Sequence, residues 1–210
     1  MKTEIITRDT LPRAAEILRN GGLAAVPTET VYGLAADGLN AAAVAEIYEV
    51  KNRPEQKAIS LLVSGMDMAA EFCADIPNAA YALAEAFWPG PLTMILNKST
   101  TVPEIVTAGG VTVGVRCPRH DMTLELIRLA RCPLAAPSAN LSGQPSPKSA
   151  RDVLDYFDGK IGAVVDGGQC ELGIESTIVD LTVAPPRILR QGGLLREEIA
   201  QVLETQGLGL

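Results

Sequence analysis

The sequence predicts an α/β protein: a large twisted sheet of mixed parallel and antiparallel strands, flanked by helices. Three observations lead there. Apolar periodicities of helix type and strand type alternate from one end of the chain to the other. The late strands are joined by connections too short for parallel crossovers, which demands antiparallel pairs as well. Finally, 47% hydrophobic residues in a chain of 210 can bury a full core, and that length fits one domain over 1–210.

The elements follow in order. A helix is predicted over 10–20, with Pro12 tolerated in its first turn and Gly21-Gly22 ending it, and a short buried strand over 23–26 comes next. Residues 27–34 read as a loop leading to a second helix over 41–50, capped by Asn40. The unbroken apolar run 58–63 reads as a strand, followed by helical patterns over 66–73 and 77–87 that Trp88-Pro89-Gly90-Pro91 interrupts. Strands are predicted over 92–96 and 111–115, a helix over 123–130, a short strand over 134–136 and a helix over 149–157. Strands over 161–165, 177–181 and 187–189 precede a last helix over 196–204. The most loop-like stretch, 142–147, is placed to cover a ligand.

Composition excludes several function classes. Eighteen Lys and Arg against 25 Asp and Glu give a net charge of -7, which disfavours a broad basic surface for nucleic acid. Cys73, Cys117, Cys132 and Cys170 are widely spaced and the chain has one histidine, so the cysteines read as reduced packing residues rather than a zinc site or disulfide framework. No apolar run is long enough to span a bilayer and the N-terminus lacks a signal-type run, so a cytoplasmic protein without membrane association is expected.

Most of the unusual polar segments fall at predicted strand ends, where α/β folds gather ligand sites. In Pro27-Thr28-Glu29-Thr30-Val31-Tyr32-Gly33-Leu34, two threonines and a carboxylate can orient a small polar ligand or serve only turn and capping chemistry. Lys51 and Arg53 stand at a helix end before Pro54, with Lys57 ahead of the next strand. Such cations complement a helix dipole or, as a mixture of Lys and Arg, suit a polyphosphate, for which this chain has no Gly-x-x-x-x-Gly-Lys loop.

Thr112 and Arg116 share one face of a strand, and an Arg in so apolar a run needs an anion, either a protein carboxylate or, as favoured here, a substrate. His120 reads as an exposed loop histidine without a catalytic role. Ser138 and Asn140 offer neutral donors and acceptors for phosphate or ribose, or else a cap, while Ser176 and Arg190 add a hydroxyl and a cation near late strand ends.

Ordered along the chain, P-T-E-T-V-Y-G-L at 27–34, K-N-R-P at 51–54, W-P-G-P-L-T at 88–93, V-G-V-R-C-P at 113–118, A-P-S-A-N-L-S-G at 136–143, G-I-E-S-T-I-V-D at 173–180 and L-R at 189–190 make the chain resemble the threonylcarbamoyl-AMP synthase family with its YrdC-like domain. The resemblance spans nearly the whole chain and is to the single-domain branch, with no extra C-terminal domain. It implies a twisted sheet around a large concave cationic cavity.

The activity it implies is that of a nucleotidyltransferase, which makes L-threonylcarbamoyl-adenylate and pyrophosphate from L-threonine, bicarbonate and ATP, a step toward t6A in tRNA. ATP would be handled by Lys51, Arg53, Lys57, Thr112, Ser138, Asn140, Ser146 and Arg190, with Lys51 and Arg53 at the catalytic centre. Threonine would be handled by Thr30, Arg116, the backbone of Ala136, and Ser176. Mg2+ is expected to travel with ATP, without a protein metal site. The product would pass to a downstream tRNA threonylcarbamoyl transferase complex, and tRNA itself is not expected to bind tightly.

One position departs from the family. Leu62 stands where some members carry a histidine that approaches the threonine, which leaves the acceptor amino acid open. Two rival readings remain: an RNA-binding module of the same fold, opposed by the charge of -7 and only three Phe, and a paralogue with a different acceptor.

Overall fold

The structure, a computed structural model, describes residues 2–54 and 57–210. Its first half runs β1 (Glu4–Ile6), a 3-10 turn (Arg8–Thr10), α1 (Leu11–Arg19), β2 (Ala24–Val26), β3 (Gly33–Asp37), α2 (Ala41–Lys51), β4 (Leu61–Leu62), α3 (Met66–Ala70), β5 (Cys73–Ala74), α4 (Asn78–Phe87) and β6 (Leu92–Lys98). The second half runs β7 (Thr112–Arg116), α5 (Asp121–Ala130), β8 (Leu134–Ala135), α6 (Ala150–Phe157), β9 (Ala163–Val165), β10 (Thr177–Asp180), β11 (Arg187–Arg190) and α7 (Arg196–Thr205). Among the described residues, no helix is long and apolar enough to cross a membrane.

Local chemistry sets several boundaries. The Asn40 side chain accepts from the amides of Ala42 and Ala43, so α2 starts there, and it stops where Asn52 turns left-handed at φ 49°. Ser149 and Asp152 form a reciprocal capping box at the start of α6.

The strands join in the order β1-β9-β2-β3-β8-β4-β7-β6-β10-β11, with β5 paired to β6. Four contacts are parallel, β1 with β9, β9 with β2, β4 with β7, and β6 with β10, and the other pairings are antiparallel. The sheet is therefore mixed, as expected.

Alternation along the strands splits the core in two. Ala25 and Val164 pack into a cluster with α2, α4, α6 and α7 residues, whereas Ala24, Val26, Ala163 and Val165 face the other way onto α1 and α5. A sheet covered on both faces explains why its central strands read as continuous apolar runs.

Some expectations need correction. β1, β3 and β5 were not predicted, and β3 lies inside the stretch read as a loop and its approach to α2. Gly33-Leu34-Ala35-Ala36-Asp37 carries no β-branched residue, and it is a strand because β2 and β8 pair with it on either side. The 58–63 run keeps only Leu61 and Leu62 as strand, since Ile59 N–H donates instead to Val106 and Ser60 C=O accepts from Ala136. The helix predicted over 66–73 ends at Ala70, and Cys73 and Ala74 pair with Lys98 and Asn97.

Candidate functional site

The connections at the middle of the sheet enclose a cleft of about 220 Å³. The β2–β3 connection, the segment before β4, the end of β7 and the loop after β8 meet there the starts of β6 and β10 and the end of β11. Three guanidinium groups, Arg53, Arg116 and Arg190, stand on its wall with hydroxyls between them.

Arg116 ends β7 and is almost fully buried. Its Nε donates to Gly90 C=O at 3.2 Å, and its Nη2 lies 2.9 Å from Glu29 Oε2, with side-chain exposures of 8% and 1%. The W-P-G-P turn makes the first contact possible, since a Cβ at Gly90 would sit 2.2 Å from Phe87 O. The anion that the sequence demanded for Arg116 is thus a protein carboxylate, contrary to the preference for a substrate.

That pairing is incomplete. Arg116 Nη2 is within ion-pair distance but not aligned for a hydrogen bond, and Glu29 Oε1 is buried without a partner. Burial lowers the Arg116 pKa, with Glu29 working the other way. Arg116 lines the cleft, and its unused donor capacity there invites a polar ligand.

Also on the cleft wall, Arg190 donates from Nε to Ser176 C=O at 3.0 Å, from Nη2 to Ser176 Oγ at 3.1 Å, and from Nη1 to Glu175. Ser176 Oγ is 2.8 Å from Thr93 Oγ1. Because the guanidinium can only donate, two hydroxyls sharing one bond leave one hydroxyl hydrogen free for the cleft. Thr93 and Glu175 line the site and were not singled out from sequence, although both lie inside the motifs at 88–93 and 173–180.

Arg53 donates to the carbonyls of Lys57 at 3.2 Å and Ala58 at 2.9 Å, and burial lowers its pKa. Thr30 lies on the wall beside Thr28, their hydroxyls 2.7 Å apart, with Thr28 also bonded to Val31 C=O. Ala136, Ser138 and Leu62 are wall residues as well.

Five predicted site residues lie off the wall. Lys51 is 1% exposed, and its ammonium donates to the carbonyls of Ser138 and Asn140. Burial, then the nearby Arg53, pulls its pKa down to about 7. Asn140 Nδ2 holds the loop by donating to Leu141 and Gln144 carbonyls at 2.9 and 2.6 Å.

Ser146 donates to Glu175 Oε1 at 3.2 Å. Lys57 is exposed, and its carbonyl accepts from Arg53 and Tyr48. Thr112 begins β7, four residues before Arg116. His120 is half-buried before α5 rather than exposed, and its Nδ1 has no hydrogen-bond partner. All four cysteines are free and buried.

The Sua5/YciO/YrdC family profile, described as telomere recombination, matches residues 16–192. The threonylcarbamoyl-AMP synthase of Pyrococcus abyssi is 48% identical over 190 residues, covering 90% of this chain and 56% of that protein. The Bacillus subtilis protein of the same name is 42% identical over 202 residues, covering 95% of this chain and 58% of its own length. This chain therefore spans little more than half of either relative. The structure of P. abyssi Sua5 complexed with L-threonine superposes with a TM-score of 0.94 at 46% identity, covering 96% of this chain and 61% of that one. By profile, identity and fold, this chain belongs to the Sua5/YciO/YrdC family.

Proposed function

We propose that the cleft makes L-threonylcarbamoyl-adenylate. Threonine nitrogen takes up bicarbonate with loss of water, giving an N-carboxylate. An oxygen of that carboxylate attacks the α-phosphorus of ATP, and pyrophosphate leaves. Several negative charges must meet in this step, so the need is for fixed cations and positioning more than for a protein base. The observation that carries the reading is the set of three arginines on one cleft, Arg53, Arg116 and Arg190, with the hydroxyls of Thr30, Thr93, Ser138 and Ser176 among them.

Arg116 would receive the threonine carboxylate, with Thr30, Ser176 and the Ala136 backbone around it. Arg53, Ser138 and Arg190 would hold the triphosphate, with Lys57, Thr112, Asn140 and Ser146 reaching or shaping the nucleotide from outside the wall. Lys51 is read here as the support of the Ser138 and Asn140 carbonyls, not as a phosphate ligand.

Magnesium would arrive with ATP. Among the described residues no group of three His, Cys, Asp or Glu could hold a metal, so phosphate oxygens and water would supply the ion's ligands. The product would pass, in the cytoplasm, to a transferase complex that modifies tRNA.

The test is pyrophosphate release from ATP and bicarbonate while the amino acid is varied. Release dependent on threonine and bicarbonate is expected. Equal release with serine or glycine would overturn threonine as the acceptor, a point sharpened by Leu62 on the cleft wall.

A further inference from the structure

We propose that Glu175 occupies the place of a phosphate group in the cleft and sets the affinity for nucleotide by being displaced from it. Its two carboxylate oxygens are bonded to different partners: Oε1 accepts from Ser146 Oγ and Oε2 accepts from Arg190 Nη1. The inference rests on the nucleotide reading above, in which Ser146 and Arg190 both belong to the ATP side.

Glu175 also attracts Arg53 on the wall and the buried Lys51 electrostatically, so one carboxylate acts on cations beyond its own ion pair. A planar anion that binds a guanidinium and a hydroxyl at once is what a phosphate oxygen pair would be in the same position.

The local geometry separates a held backbone from a releasable side chain. Gly193 N–H donates to Glu175 C=O at 3.0 Å, and Gly192 packs so closely that a Cβ there would come within 2.2 Å of that oxygen. The Glu175–Arg190 pair, by contrast, is 38% and 41% exposed. Ion pairs this accessible are weakly held, so a triphosphate with several charges takes Arg190 and Ser146 and turns the carboxylate out. The nearby Ser176 keeps its bond to Arg190 Nη2, which leaves the guanidinium oriented while its other nitrogen changes partner.

The test is direct nucleotide binding by calorimetry, with ADP and with inorganic tripolyphosphate as probes, without threonine and at fixed magnesium. Glu175→Gln keeps the shape and removes the charge. It should lower both dissociation constants by about two- to fivefold, the worth of one exposed ion pair. Raising the salt concentration should shrink the difference. Unchanged or weaker binding by Glu175→Gln, beside normal binding by the parent protein, would overturn the displacement and leave the nucleotide reading standing. Weaker binding that magnesium restores would make Glu175 a metal ligand instead. No binding of either probe to parent or variant would overturn both readings.

Discussion

Two arginine–glutamate pairs stand on one cleft and differ in burial rather than in chemistry. Arg116 and Glu29 are sealed off at 8% and 1% exposure, while Arg190 and Glu175 are open at 41% and 38%. A buried pair costs much desolvation to make and more to break, because removing one partner strands the other charge in a poor solvent. An open pair exchanges partners with water, salt or a ligand at little cost. The same two residue types thus serve as a fixed post in one pair and an exchangeable contact in the other. Arg53 is a third case, bonded to the carbonyls of Lys57 and Ala58 and so already directed before any anion arrives.

The comparison breaks most visibly at Glu29. Glu29→Ala should cost about 3 to 5 kcal/mol of stability in denaturant unfolding, since Arg116 would be left buried and unpaired. A loss below about 1 kcal/mol would mean that water reaches Arg116 and that the two pairs are alike. Next in size, Arg53→Ala should weaken ATP by about 1.5 to 3 kcal/mol through loss of a charge-assisted contact, with threonine use little changed. Arg116→Ala should do the reverse. Substrate-saturation kinetics on both variants checks the division, and equal loss for both substrates in Arg116→Ala would make that residue structural.

What the sequence revealed follows the range of the interaction. Local signals were legible: Pro12 at the start of α1, Asn40 as a cap, and Pro54 beyond α2 all act over a few residues. Arg116 was legible as a charge needing an anion, but Glu29, which lies 2.9 Å from it, comes from a distant loop and no spacing points to it. The burial of Lys51 was not legible for a related reason. A lysine at a helix end is usually solvated, and only the folding of the 138–142 segment back onto α2, where Ser142 N–H bonds Lys51 C=O, closes it in. Thr93 gave no signal beyond its motif, because its place in the cleft depends on β10 lying parallel to β6 and bringing Ser176 alongside.

Lys51 extends the contrast to a buried cation with no carboxylate bonded to it. Its pKa falls from 10.5 in a solvated chain to about 7 in the fold, burial being the main cause. Between those values the unfolded chain carries one more proton at this site, so stability gains from Lys51 as pH rises from about 7, by at most about 1.4 kcal/mol per pH unit. The buried thiols oppose this from about pH 8 upward, where four groups with a solvated value of 9.0 begin to ionise in the unfolded chain, since Cys73, Cys117, Cys132 and Cys170 are raised to about 11 or 12 and stay protonated in the fold. The clean window is therefore about pH 7 to 8. Unfolding free energy should climb across it in the parent protein and stay flatter in Lys51→Met. Parallel profiles would mean that the two carbonyl acceptors keep the ammonium charged in spite of burial.

The smallest effect sharpens the comparison furthest. A double-mutant cycle of Arg190→Met with Glu175→Gln, read by denaturant unfolding, isolates the energy between the two side chains from whatever each does alone. For a pair this open the coupling should be within about 1 kcal/mol and should fade at high salt. The matching cycle of Arg116→Met with Glu29→Gln should give a larger coupling that salt hardly changes, because solvent ions do not reach a pair so deeply enclosed. A large, salt-resistant coupling for Arg190 and Glu175 would mean that the carboxylate is a second fixed post, and a nucleotide would then have to bind around it rather than in its place.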